Sequence, residues 1–187
     1  LHLSIRRQRQ MCIRDRSETA NNCISGLLQH HEGLSALLAS TVNSYDRLQP
    51  ASMAGYWANW AGDHRMVTIR TSTSSSNSAR IEHRTADGAG NPYIVTSSVL
   101  TASLLGIKNK YKLPKAEDLD GMENVRATKH VPSSLSKALN ALENDNVLKS
   151  EIGEKFCNAF IENKRDEATR LQDKNIDEIR EYYLPFV

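Results

Sequence analysis

The spacing of apolar residues divides the chain into a helical entry, a central block of short alternating runs and a helical second half. After Ser17, a candidate N-cap, Ala20, Cys23, Ile24, Leu27 and Leu28 recur at three- and four-residue intervals. Gly33 interrupts the pattern, and Leu34 to Leu38 add a short apolar turn. The pair His30-His31 stands at this break. Adjacent residues on a helix diverge by about 100°, so the pair reads as helix-end polar residues rather than as two metal ligands.

The central block holds four β-compatible runs: Thr41 to Leu48, Tyr56 to Trp60, Met66 to Thr71 and Ala79 to Ala86. Pro50, Gly55 and Gly62-Asp63 punctuate them, and Thr71 to Ser78 reads as a polar connection between two strands. Asn91-Pro92 then opens the clearest helix, with asparagine at the N-cap and proline at the first helical position. Its apolar residues, from Tyr93 to Ile107, spread over most sides, which predicts a helix buried behind a sheet. Lysines at 108, 110 and 112 close it favourably for the helix dipole. Leu113 to Val131 is weakly patterned and predicts an extended surface excursion. Helices follow from Leu135 to about Leu142 after Pro132-Ser133-Ser134, from about Glu154 to Leu171, and near Ile176 to Tyr183. Helix, strands, then helices make an α+β chain.

At 187 residues, 39% hydrophobic and 25% charged, the chain has the make-up of one globular domain. No apolar run reaches the ~18 residues that a membrane span needs. Three cysteines, Cys12, Cys23 and Cys157, have no zinc-type spacing and read as free thiols in a reducing compartment, so the expected location is cytoplasmic. The net charge of +2 hides an asymmetry: residues 1–16 carry a balance of +4, and the remainder sums to −2. A basic arm raises a nucleic-acid partner. However, Met11-Cys12-Ile13-Arg14-Asp15-Arg16 resembles the peptide obtained when sequencing-adapter DNA is translated. Residues 1–16 are therefore set aside as a non-native head, and residues 17–187 carry the functional reading. No aromatic residues interleave with basic ones elsewhere as a stacking platform for nucleic acid would need.

The candidate chemistry lies between Asn43 and Arg84, a stretch with five arginines (Arg47, Arg65, Arg70, Arg80, Arg84) and no lysine. Forked guanidinium groups suit carboxylates and phosphates. In Arg80-Ile81-Glu82-His83-Arg84 strand alternation puts Arg80, Glu82 and Arg84 on one face. That face is either a salt-bridge ladder or a site for a metal and an anion, and periodicity alone favours the ladder. His83 should point away from Glu82, His64 falls in a turn, and Trp57 and Trp60 suit burial at least as well as stacking on a substrate.

The order of motifs goes further. Thr41-Val42-Asn43-Ser44-Tyr45-x-Arg47-Leu48-x-Pro50, Arg65 with Arg70 five residues on, Arg80-Ile81-Glu82-x-Arg84 with Asp87, Asn91-Pro92-Tyr93 and Gly106-Ile107-Lys108-Asn109-Lys110 follow one another, with Ile24-x-Gly26-Leu27-Leu28 upstream. This series resembles the C-terminal part of the catalytic domain of the glutamine synthetase family. The resemblance implies an antiparallel sheet backed by helices, incomplete here, and an ATP-dependent ligase. In such a ligase the side-chain carboxylate of glutamate attacks the γ-phosphate of ATP, and an amine displaces phosphate from the acyl phosphate. By the same resemblance Arg47 and Arg84 hold glutamate, Arg65 and Arg70 contact the transferred and nucleotide phosphates, and Arg80 lies beside the nucleotide. Arg65 is the catalytic candidate, and Glu82 is a ligand of Mg2+ (or Mn2+). Asn91, Pro92 and Tyr93 carry over as structural only.

Three departures matter. Met53 stands where ammonia-using members carry a proton-accepting glutamate, Asp63 where many have arginine, and Asp46 where lysine is usual. The first suggests an organic amine rather than ammonia as acceptor; a non-catalytic sensor or scaffold is the alternative. The segment after Lys112 lacks the adenylylated Asn-Leu-Tyr motif of some bacterial members. The family's other metal ligands and its small N-terminal domain precede the matching region. The 187 residues alone are therefore expected to be inactive, and the whole protein to form a homo-oligomer.

Overall fold

The structure, a computed structural model, describes residues 17–72, 80–117 and 126–186. The 1–16 head, most of the polar Thr71–Ser78 connection and the middle of the Leu113–Val131 excursion lie outside the described residues. In chain order the elements are α1 (Glu18–Gln29), α2 (His31–Leu38), α3 (Ser44–Arg47), β1 (Trp60–Gly62), β2 (Ile69–Ser72) and β3 (Arg80–His83). They continue with α4 (Pro92–Asn109), α5 (Leu135–Asn144), α6 (Asn146–Ile152), α7 (Glu154–Arg170) and α8 (Ile176–Tyr183), and a 3-10 turn over Leu184–Phe186.

Local chemistry explains the helix starts. The Ser17 side chain accepts from the Ala20 N–H, Asn91 from Tyr93 and Ile94 with Pro92 following, and Ser134 from Lys137. Asn175 and Glu178 form a reciprocal capping box at the head of α8. Helix α4 ends where Lys110 turns left-handed, φ 50°.

The core is mainly helical. Ile24, Leu34, Leu37, Leu38, Leu135, Leu139, Leu142 and Leu148 are fully buried, so α1 and α2 share one interior with α5 and α6. Helix α4 packs against α1 rather than behind a sheet. Only Ser98, Ala102, Leu105 and Gly106 of α4 are buried, while Tyr93, Leu100 and Leu104 are exposed. Its even spread of apolar residues therefore does not mean burial on all sides. Gly26 and Gly106 make the crossing possible: a Cβ on Gly26 would meet the Ala102 carbonyl oxygen and lie 2.7 Å from the Gly106 nitrogen.

The sheet is small and mixed. β1 pairs parallel with β2 (Trp60 opposite Ile69), and β2 antiparallel with β3 (Arg70 opposite Glu82). This corrects the expected antiparallel sheet, because alternation reports which face a residue takes and not the direction of the neighbouring strand. Thr41 to Leu48 is not a strand. The Thr41 and Ser44 hydroxyls bond each other at 2.5 Å, and the Ser44 and Asp46 amides donate to Thr41 and Asn43 carbonyls, so local polar bonds build α3 instead. Tyr56 to Trp60 contributes one isolated bridge, Trp57 with His130, before β1 begins.

Leu34 to Leu38 belongs to a full helix, α2, and Asn146–Ile152 is a helix that the apolar spacing did not announce. His30 and His31 do stand at a helix end, His30 capping α1 and His31 opening α2, but both are buried. They are 4% and 1% exposed, because the α1–α2 joint turns inward. His30 Nδ1 pairs with Asp145 at 2.7 Å, and His31 Nε2 donates to the Tyr56 carbonyl at 3.1 Å.

Candidate active site

Three strands of three or four residues position the arginines. Register places Arg70 directly opposite Glu82, and alternation puts Arg80 on the same face. Arg70 then grips Glu82 bidentately, Nε to Oε2 at 2.7 Å and Nη2 to Oε1 at 2.9 Å. Arg80 Nε donates to Oε1 at 2.6 Å, and Arg84 Nη1 stands 4.0 Å from Oε2. Hydrogen bonds from Arg70 first and Arg80 second hold the Glu82 carboxyl down at about 2, and the same pairing raises Arg70. One carboxylate among three guanidinium groups leaves the cluster with surplus positive charge, at the solvent boundary.

The flanking loops are tied to this cluster. Arg84 Nη2 donates to the Met53 carbonyl at 3.1 Å, and Arg47 Nη2 to the Thr85 carbonyl at 2.9 Å. Thr85, fully buried, donates its hydroxyl to the Gly55 carbonyl at 3.1 Å. Gly55 has φ 76°, and a Cβ there would lie 3.2 Å from Thr68 Cα and 3.3 Å from the Arg84 carbonyl carbon. Only glycine fits so close an approach in the left-handed region. Met53 itself is 63% exposed, with its carbonyl held by Arg84. Asp87 is more than a marker of the series: it accepts from the Ser44 hydroxyl, while its own N–H donates to the Leu38 carbonyl at 3.2 Å.

Of the six site residues expected from the sequence, Arg70, Arg80, Arg84 and Glu82 converge, and Arg47 reaches the segment that follows Arg84. Arg65 does not join them. It lies exposed between β1 and β2, with no hydrogen bond or ion pair among the described residues. Thr85 and Gly55 were missed; Gly55 was read only as turn punctuation, and nothing local marks Thr85. His83 has both ring nitrogens buried without a partner among the described residues, and burial lowers it to about 3, in keeping with a side chain on the opposite face from Glu82.

The donor set here does not by itself fit a divalent cation. Hard cations take six or more oxygen ligands. Both Glu82 oxygens already accept from guanidinium groups, and among the described residues no three His, Cys, Asp or Glu side chains gather.

A family model described as "Glutamine synthetase, catalytic domain" matches residues 1–183. The chain belongs to the glutamine synthetase family. It is 37% identical over 176 residues to the glutamine synthetase of Pyrococcus abyssi, covering 89% of this chain and 40% of that protein. It is 36% identical over 154 residues to that of Staphylococcus aureus, covering 79% and 34%. Among solved structures, "GmaS/ADP complex-Conformation 1" aligns with TM-score 0.74 at 31% identity over 90% of this chain and 40% of that one. "Apo GmaS without ligand" aligns with TM-score 0.73 at 32% identity, over 88% and 38%. The chain thus spans 34 to 40% of the length of these relatives. Their glutamine synthetase fold is the frame in which the small mixed sheet and its helical backing are to be understood.

Proposed function

We propose that this chain supplies the glutamate- and phosphate-gripping side of an ATP-dependent ligase that joins the side-chain carboxylate of glutamate to ammonia or an organic amine. The observation that carries the reading is the convergence of Arg70, Arg80 and Arg84 on one carboxylate in a member of the glutamine synthetase family. A site already built to hold one carboxylate with forked donors is suited to another, and to phosphate oxygens.

In this reading glutamate attacks the γ-phosphorus of ATP, ADP leaves, and the acyl phosphate is opened by the amine with loss of phosphate. Arg47 and Arg84 hold glutamate, Arg70 and Arg80 face the nucleotide phosphates, and Arg65, exposed and unpaired among the described residues, swings onto the transferred phosphoryl group. Preorganised guanidinium groups stabilise charge as it moves, which is the larger part of phosphoryl-transfer catalysis. Glu82 orients Arg70 and Arg80 in the chain as it stands; it becomes a ligand of Mg2+ (or Mn2+) only where further oxygen ligands join it.

The acceptor is inferred from Met53. A thioether cannot take a proton from ammonium, whereas an exposed apolar side chain can cover the carbon of an alkylamine. The activity belongs to a longer, oligomeric, cytoplasmic protein, and the 187 residues alone are inactive. The test is ATP cleavage by the longer protein with glutamate and a panel of amines. Small alkylamines should give the fastest turnover; fastest turnover with ammonium would overturn the acceptor assignment. Replacing Arg84 with Gln should weaken glutamate at least about tenfold, the scale of a lost charged hydrogen bond. Unchanged affinity would remove Arg84 from the glutamate site.

A further inference from the structure

The far end of the chain reaches the loop that carries Arg47. Tyr183, the last residue of α8, is 8% exposed, and its hydroxyl accepts from the Val42 N–H at 3.1 Å. The same hydroxyl donates to Glu167 Oε1 on α7 at 2.6 Å, and Glu167 is gripped by Lys164 at 2.8 and 3.0 Å. Burial first, and the Glu167 carboxylate with it, push the phenol above its ordinary range, so it stays a donor.

On the other side, Val42 leads directly into α3. Thr41 bonds Ser44, Ser44 donates to Asp87, and Arg47, at the end of α3, holds the segment after Arg84 through Thr85. A cavity of about 280 Å3, bounded by Thr41, Ala89, Lys164, Glu167, Tyr182 and Phe186, adjoins the Tyr183–Val42 bond. The Val42 side chain packs against the core, and the cavity leaves the Tyr183 hydrogen bond as the tie on its backbone N–H.

We propose that Tyr183 is a positioning residue: through Val42 it sets the short helix α3 and hence the guanidinium of Arg47, with Glu167 and Lys164 fixing the phenol. The consequence for ligand rests on the assignment of Arg47 to glutamate; the mechanical link does not. A C-terminal helix that looks like a surface appendage thereby acts on the substrate side of the site, coupling residues 141 positions apart.

The test uses the full 187-residue chain and two variants, Tyr183→Phe, which removes only the hydroxyl, and Glu167→Gln, which keeps an acceptor oxygen for it. Amide hydrogen exchange is read at residues 42–47 and in the α1–α4 core, with the unfolding midpoint measured alongside. Tyr183→Phe should speed exchange at 42–47 roughly three- to tenfold, the scale of one lost buried hydrogen bond, and lower the unfolding midpoint by no more than that one bond accounts for. Glu167→Gln should give a smaller rise confined to the same segment. Unchanged exchange at 42–47, a loss of stability well beyond one hydrogen bond, or a larger effect of Glu167→Gln would each overturn the proposal. Glutamate titration into the longer protein carrying Tyr183→Phe should show a matching loss of affinity. No glutamate binding by the unsubstituted longer protein would sink the ligase reading but leave the exchange result to decide the link.

Discussion

The helix crossing and the arginine sheet are organised by different physics. Where α1 crosses α4, Gly26 and Gly106 bring two backbones together, and each would drive a Cβ into the other helix. Shape decides that contact, and beside it stand leucines with almost no exposed area. In the sheet, strands of three or four residues carry Arg70, Arg80 and Glu82 at 23, 52 and 24% side-chain exposure, and charge decides the contacts. The first region holds elements in place, and the second keeps charged groups at the solvent boundary. Family motifs run through both, so membership of a motif does not by itself mean a chemical role: Gly26 and Gly106 belong to the series for packing.

Breaking the crossing should have the largest effect. Gly106→Val places atoms against the Asn22 carbonyl oxygen and 2.7 Å from the Gly26 nitrogen, and both are backbone atoms that cannot rotate away. Overpacking of this kind costs about 3 kcal/mol or more. Denaturant unfolding should show a clear fall in midpoint. A loss under about 1 kcal/mol would mean that the helices can separate freely and that shape does not govern their crossing.

A smaller effect should come from pH. His31 is 1% exposed, with Nε2–H given to the Tyr56 carbonyl and Nδ1 buried without a partner among the described residues. Burial first, with His130 and Lys129 as nearby positive groups, lowers it to about 4. The unfolded chain takes up that proton near 6.5, and the folded chain refuses it until about 4. Its contribution is complete above about pH 6.5 and is lost as pH falls from there towards 4, by roughly 1.4 kcal/mol per pH unit. His83, lowered to about 3, adds a like limb over the same window, so His31→Gln, which keeps a donor for Tyr56, should roughly halve the slope between pH 6.5 and 5; an unaltered slope would show that His31 carries none of it.

Much of the helical region was legible because its signals are local. Ser17, Asn91-Pro92 and Ser134 announce their helices within four residues, and α8 lies where the pattern places it, near Ile176 to Tyr183. The helix α6 escaped because Asp145 is both the C-cap of α5 and the N-cap of α6, leaving no gap to mark a boundary. In the sheet, alternation correctly joined Arg80 and Glu82 on one face. Strand direction depends on how the chain returns between Gly62 and Ile69, where Asp63 takes φ 47°, and no periodicity encodes that. The burial of His30 depends on Asp145, 115 positions away, and that of Thr85 on Gly55, so both became visible only once the chain had folded.

The smallest expected effect on stability separates the two regions most cleanly. Glu82→Gln removes the one carboxylate that Arg70 and Arg80 share, in a setting open enough to solvent that such pairs contribute little to folding. The unfolding midpoint at neutral pH should scarcely move. The Glu82 carboxyl is lowered to about 2 from an ordinary value of 4.5, so its contribution is present above 4.5 and is lost only as pH falls from there towards 2. That window lies below most of the His31 limb but overlaps the lower end of the His83 limb, so the Glu82 part is read as the difference between Glu82→Gln and the unsubstituted chain. Anion binding should respond the other way. With Glu82 neutral, Arg70 and Arg80 lose their internal counter-charge, and inorganic phosphate should bind more tightly in a calorimetric or NMR titration. If phosphate binding weakens instead, Glu82 is a brace that keeps the guanidinium groups aimed, and the sheet too would be governed by shape.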